Sequence, residues 1–367
     1  MVVRHWVVSR LINDWSESIM RFLRKHPVAT ALAVFIVGFL AYSYSWTQTE
    51  HGKLDYRAAL SLNMLAFETD FTPDPEMDFT FELPVNLIYA LSGLLPKAEV
   101  ARIQDISIAS EGVDIPARIY WPVQPSSERP PIWVYFHGGG FVVGSVDIFD
   151  PLTRQLAAET GAIVISVDYR LAPRHPWPAA TLDGYAAVQW AAANAEELGG
   201  DAGRIVVGGD SAGGNLAAVV ALMARDKGAP QLAAQVLYYP AADLGDNGTS
   251  WPSNEKFRDG FGLSTKSMLA FSEAYFGHLD NTAEPYLSPL RAESLEDLPP
   301  ALVVTAGFDP LTDSAHAYVE RMQAAGVDAS LAHFPEMIHG FLSIGLFSQQ
   351  QQAVDRTVDF LQSAVGG

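Results

Sequence analysis

The residues best suited to covalent chemistry lie in the stretch Arg204 to Gly214, RIVVGGDSAGG. Ile205, Val206 and Val207 read as a short buried strand, and Ala212 to Arg225 as a helix that Gly228 can close. Between them sits Gly209-Asp210-Ser211-Ala212-Gly213, a Gly-X-Ser-X-Gly pentapeptide at a strand-to-helix turn. By itself this reads equally as a serine N-cap on a glycine-rich helix start. Its context favours chemistry. A chain that reverses over one residue forces Ser211 into a strained conformation with its hydroxyl above the sheet edge, and Gly209 and Gly213 leave room for that approach.

A serine hydroxyl is a poor nucleophile at neutral pH and needs an adjacent base, usually a histidine oriented by a carboxylate. In a parallel sheet these partners come from loops at the carboxyl ends of later strands. Asp309, in Gly307-Phe308-Asp309-Pro310, follows the strand-like run ALVVTAG, whereas Asp313 falls in the first turn of the next helix and complements its dipole. Of the histidines that follow, His316 reads as solvated and about two turns into that helix, and His333 as part of the last strand, DASLAHF. His339 lies beyond that strand, beside Gly340, and is the expected base.

Acyl transfer passes through a tetrahedral oxyanion, which needs donors already aimed at it. The N–H of Ala212 is one by position, and Gly138 and Gly139 in His137-Gly138-Gly139-Gly140 are expected to supply the others. That glycine run also reads as a flexible turn or a phosphate loop. No Gly-Lys-Ser/Thr follows it, which weakens the phosphate reading.

The elements that must position these groups follow from hydrophobic patterning. Ala101 to Ser110 and Asp114 to Trp121 look like paired strands joined at Glu111-Gly112. Pro131 to Phe136, the run from Ala162, Ala233 to Tyr239 and the run from Ala301 are uniformly apolar and alternate with helices near 152–160 and 179–198. That alternation is the pattern of a mostly parallel sheet covered on both faces. Residues 243–289 interrupt it with aromatics, Trp251, Phe257, Phe261, Phe271, Tyr275 and Phe276 among them, and a helix at Ser264 to Phe276, and read as an insertion over the sheet's edge. Residues 55–95 read as two or three short helices, with Met64, Phe67, Phe71 and Phe79 as packing residues.

Composition narrows the partners. A net charge of −19 over 367 residues argues against nucleic acid, and the absence of cysteine excludes a thiolate nucleophile and any cysteine-ligated metal. The charge is uneven, because residues 1–26 carry a net +3. Residues 27–49 hold no charge, enough length to span a bilayer, and three basic residues, Arg21, Arg24 and Lys25, precede them. We therefore expect a cytoplasmic basic segment (1–26) and a transmembrane signal anchor (27–49) that leaves the catalytic domain on the periplasmic or extracellular side. A cleaved signal peptide and a buried core helix are the alternatives.

The motifs HGGGF at His137, VDYRLAP at Val167, HPWPAA at His175, GDSAGGNLAA at Gly209, DPLTD at Asp309 and HGF at His339 resemble, in the same order, those of the hormone-sensitive-lipase-like α/β-hydrolase esterases. Arg174, where an acidic residue is usual, and Thr312 and Ser314 depart from the pattern. The resemblance implies an α/β-hydrolase fold with an eight-stranded, mostly parallel sheet in residues 100–367. It also implies a helical cap from residues 50–99 and 243–289. The implied reaction is hydrolysis of short- to medium-chain carboxylic esters through an acyl-enzyme, with Ser211, His339 and Asp309 as the triad and no metal or cofactor. A non-catalytic ligand-binding protein on the same scaffold and an amide or peptide hydrolase stay open, as does a homodimer.

Overall fold

The alternation of apolar strands and helices is realised as one large sheet with a helical layer on each face. A computed structural model describes residue 25 and residues 27–64, 97–280, 282–344 and 347–366. Among the described residues the first elements are α1 (Pro27–Ser45), a small hairpin of β1 (Gln48–Thr49) and β2 (Gly52–Lys53), and α2 (Tyr56–Met64). β3 (Val100–Ser110) and β4 (Val113–Pro122) then pair antiparallel across Glu111-Gly112, both at positive φ as a tight hairpin turn requires. β5 (Ile132–Phe136), α3 (Asp150–Thr160), β6 (Ile163–Val167), α4 (Ala179–Ala193), β7 (Ile205–Asp210), α5 (Ala212–Lys227) and β8 (Ala234–Tyr238) follow. The insertion contributes α6 (Pro252–Lys256) and α7 (Thr265–Phe276), and β9 (Ala301–Phe308), α8 (Thr312–Ala324), β10 (Ala329–Ile338) and α9 (Gln350–Val365) complete the chain.

The sheet has eight strands in the order β10-β9-β8-β7-β5-β6-β4-β3. It is parallel from β10 to β6, and β4 and β3 run antiparallel at one edge. The period-2 side-chain alternation explains the apolar runs. In β5, Ile132, Val134 and Phe136 face a layer of α4, α5 and α8, while Trp133 and Tyr135 face α3 and α9. Both faces are dry, so no polar alternation survives.

Several expectations change at the edges. Gln48 to Lys53, across the boundary between the expected anchor and the expected cap, is the β1–β2 hairpin, and its neighbour Asp55 donates its N–H to Glu336 O at 2.9 Å. Lys53 also pairs with Glu336 at 2.9 Å, and His51 packs on Phe257 and Phe261. The helix expected over 179–198 stops at Ala193, and a separate turn covers Ala195–Leu198. His316 is one turn into α8 and half-buried, with Nε2 3.1 Å from Thr305 Oγ1, because that turn faces β9 rather than water.

The expected transmembrane anchor is not supported: among the described residues no helix is long and apolar enough to cross a membrane. The helix α1 covers Pro27–Ser45 of the expected span 27–49. Its last turn belongs to the protein, since Ser43 is buried with Oγ 2.8 Å from the Tyr56 hydroxyl. The basic segment, apart from Lys25, and the expected helices over 65–96, with Phe67, Phe71 and Phe79, lie outside the described residues.

The loop after β6 supports the glycine run from beneath. Arg170 pairs with the fully buried Asp183 of α4 at 2.6 Å, Ser110 donates to the same carboxylate at 2.8 Å, and Ala172 N–H donates to Phe141 O at 2.9 Å. Removing one partner of a buried pair strands the other charge. Asp183→Ala should lower the unfolding free energy by about 3–5 kcal/mol, measured by chemical denaturation; an unchanged midpoint would contradict this role.

Candidate active site

Each strand end delivers one group. β7 ends at Asp210, and α5 begins at Ala212, so Ser211 is the whole turn, with φ +56° and ψ −116°. Such a backbone persists only where its surroundings enforce it. Here Ser211 N–H donates to Tyr238 O at 2.9 Å, and Ser211 O accepts from Asn215 N–H at 3.0 Å. The Asn215 side chain donates in turn to Ala241 O at 2.7 Å and to Leu287 O at 2.9 Å, tying the helix start to the insertion. A Cβ on Gly209 or Gly213 would lie 2.3 or 2.0 Å from Phe136 O, so only glycine fits at either position.

Asp309 directly follows β9 and His339 directly follows β10. His339 Nδ1 is 2.8 Å from Asp309 Oδ2, and its Nε2 is 2.9 Å from Ser211 Oγ. With an ionised carboxylate as acceptor, Nδ1 carries the proton and Nε2 accepts from the serine hydroxyl. Asp309 is buried, and its second oxygen accepts Leu311 N–H at 2.8 Å. Tyr239 flanks the imidazole at 4.9 Å between ring centres. The structure brings the three expected side chains into one continuous chain of hydrogen bonds. The rejected candidates stand elsewhere: His333 Nδ1 is 2.9 Å from Thr305 Oγ1, and Asp313 accepts Ser253 N–H of α6 at 2.8 Å.

The glycine run departs from expectation at one position. Gly138 N–H does not face the serine. It donates to Asp210 Oδ1 at 2.9 Å, and the same oxygen accepts the Tyr135 hydroxyl at 2.7 Å. The N–H groups of Gly139 and Gly140 donate to no other group among the described residues, and neither does that of Ala212. Both glycines have positive φ, +119° and +62°. Burial pushes the Asp210 carboxyl up to about 6, and it lowers the pKa of His137, whose ring is stacked between Phe149 and Tyr169. Sequence reading assigned no role to Asp210, Tyr135, Asn215 or Tyr239. A charged residue ending the apolar strand IVVGGD was the available signal, because a buried carboxylate must find donors.

Beside Ser211 opens a cleft lined mostly by Phe141, Leu244, Met268, Phe271 and Phe276, with Asn247 and Ser272 as its other polar side chains among the described residues. Three of these apolar groups come from α7, so the insertion forms one wall. A lining with no charged side chain suits an uncharged acyl or alkyl group.

Known proteins place this geometry. Residues 133–343 match the family described as alpha/beta hydrolase fold. The chain is 43% identical over 270 residues to Esterase LipI of Mycobacterium tuberculosis, covering 72% of this chain and 83% of that protein. It is 45% identical over 260 residues to Carboxylesterase NlhH of the same species, covering 69% and 78%. Among solved structures, a hyperthermophilic esterase from the archaeon Pyrobaculum calidifontis superposes with a TM-score of 0.70 at 41% identity, over 76% of this chain and 89% of its own. The thermophilic carboxylesterase EstE1 from a metagenomic library superposes at 0.72 with 38% identity, over 76% and 94%. Sheet order, strand-end geometry and these relatives agree: the chain belongs to the hormone-sensitive-lipase-like α/β-hydrolase esterases and is a carboxylesterase-type hydrolase.

Proposed function

We propose that the protein hydrolyses short- to medium-chain carboxylic esters through an acyl-enzyme on Ser211. The observation that carries this reading is the unbroken Asp309–His339–Ser211 hydrogen-bond chain, with spacings of 2.8 and 2.9 Å. Ser211 Oγ attacks the ester carbonyl while its proton passes to His339 Nε2. Asp309 holds the imidazole in the tautomer that can accept it and stabilises the imidazolium. The oxyanion that forms is received by the N–H groups of Gly139 and Ala212, with Gly140 in place of the expected Gly138. Collapse expels the alcohol, which takes the proton from Nε2. Water then attacks the acyl-enzyme with His339 as base, releasing the acid and restoring the Ser211 hydroxyl.

The acyl-length limit follows from the cleft wall. A Cβ on Gly140 would lie 2.3 Å from the Phe271 ring, so that ring lies directly over the oxyanion loop and caps the space beside it. Attachment to a membrane surface is supported by a separate observation: Phe35, Val37, Leu40 and Tyr42 of α1 are exposed. We place that helix against the apolar layer of a lipid surface rather than across it.

Ser211→Ala should abolish turnover of p-nitrophenyl butyrate and labelling by a fluorophosphonate while leaving the circular-dichroism spectrum unchanged. His339→Gln should cut kcat by about 10⁴-fold or more, since triad members act as a unit. Retained activity in either variant would end the serine-esterase reading. An anilide cleaved as fast as the matching ester would favour an amidase instead. Phe271→Ala should move the acyl optimum from butyrate toward longer chains in a p-nitrophenyl ester series, and an unmoved optimum removes Phe271 from specificity. The full chain should co-sediment with phospholipid vesicles, and Phe35→Asp combined with Val37→Asp should release it; co-sedimentation unaffected by the pair would refute attachment through α1.

A further inference from the structure

We propose that Asp210 is a positioning residue that bolts the glycine run 138–140 to the nucleophile's strand, acting as a hydrogen-bond acceptor. This rests on the reading of Ser211 as nucleophile and of Gly139, Gly140 and Ala212 as oxyanion donors. Asp210 is the last residue of β7, one position before Ser211, and is 2% exposed. One oxygen, Oδ1, accepts both the Tyr135 hydroxyl at 2.7 Å and Gly138 N–H at 2.9 Å. The other, Oδ2, would lie 2.5 Å from a Cβ on Gly138, so the loop is seated directly on the carboxylate.

The other bonds of the loop do not perform this task. Val142 and Val143 N–H donate back to Gly139 O at 3.1 and 3.0 Å, which shapes the turn internally. Tyr169 donates to His137 O at 2.7 Å, which fixes the loop to the β6 side of the sheet, and His137 Nδ1 donates to Gly138 O at 2.8 Å within the loop itself. Only the Asp210 carboxylate, among these, joins the loop to the strand that carries Ser211. It therefore sets the distance between the attacking oxygen and the donors that must receive the oxyanion.

The bond also selects which amides are donors. With Gly138 N–H turned inward onto Oδ1, the next two amides donate to no acceptor among the described residues, on a backbone at φ +119° and +62°. A side chain without an acceptor would release Gly138 N–H to compete for the same space. The role needs an acceptor oxygen and no charge. Asparagine can keep Oδ1 in place, and alanine cannot.

The test compares Asp210→Ala with Asp210→Asn. Active sites are counted by fluorophosphonate labelling, kcat and KM are measured for p-nitrophenyl butyrate, and hydrogen exchange is followed in the peptide spanning residues 137–144. Asp210→Ala should lower kcat per labelled site on the order of 10- to 100-fold, as misplaced oxyanion donors do, with KM changed less than about twofold. Its 137–144 peptide should exchange faster. Asp210→Asn should keep kcat within about fivefold and exchange at the wild-type rate. Wild-type kcat in Asp210→Ala, or equal damage in both variants, overturns the proposal. Should Asp210→Ala fail to fold, Tyr135→Phe removes the other donor to Oδ1; it should lower kcat by about three- to tenfold and quicken exchange, and no change in either overturns the proposal. A wild-type chain that the fluorophosphonate leaves unlabelled sinks the serine-hydrolase reading alone, because the exchange comparison still decides whether Asp210 holds the loop.

Discussion

The backbone carbonyl of Phe136 occupies a gap between Gly209 and Gly213 that closes if either residue acquires a side chain. This contact between the ends of β5 and β7 brings the Ser211 turn against the strand that leads into the glycine run. The strain at Ser211, on the order of 1–3 kcal/mol for such a backbone, is tolerable because bonds to Tyr238 O and from Asn215 N–H hold it from both sides. The reward is geometric. The hydroxyl stands clear of the sheet, at the positive end of α5, where a developing negative charge is favoured.

Sheet order explains how distant residues meet. β5 and β7 are neighbours, so the glycine run and Ser211 arise side by side. Asp309 and His339 come from β9 and β10, and β8 separates them from β7. The imidazole must therefore reach back over the end of β8. Tyr239, at the end of that strand with φ +36°, fills the space beneath and packs against the His339 ring. Its hydroxyl lies 3.2 Å from Ser343 Oγ in the turn after His339. A loop able to support catalysis is thus braced by an aromatic ring from a strand that contributes no proposed reacting group.

Ser211, Asp309 and His339 were legible in the chain because each lies just beyond a strand-like run, and a parallel sheet places such positions at one edge. The glycine run was legible as a feature but not in register. Which two of its three amides stay free depends on which one Asp210 captures, a contact across 72 residues that no local pattern carries. His316 was misread for a related reason. Its position on α8 turns it toward Thr305 of β9 rather than water, a contact between elements that the helix's own residues do not carry. The hairpin at Gln48–Lys53 is polar and only two residues per strand, and it forms because Glu336 and Phe257 receive it, which its own composition cannot announce.

Asp210 also shows where the protein gives up stability for geometry. Its carboxyl is pushed up to about 6 by burial, from an ordinary value of 3.8, and the donors from Tyr135 and Gly138 only partly offset that cost. A carboxyl whose folded pKa exceeds its unfolded pKa binds a proton more readily in the folded chain. Its contribution therefore favours the fold below pH 3.8 relative to neutral pH, and that advantage is lost as pH rises through 3.8 toward about 6. At neutral pH the ionised group costs about 3 kcal/mol relative to its protonated form, a large share of the stability of a typical domain. An apolar residue in the same place would remove this cost, and also the acceptor that holds Gly138. The carboxylate is a liability to the fold whose compensation lies in where it places the neighbouring amides.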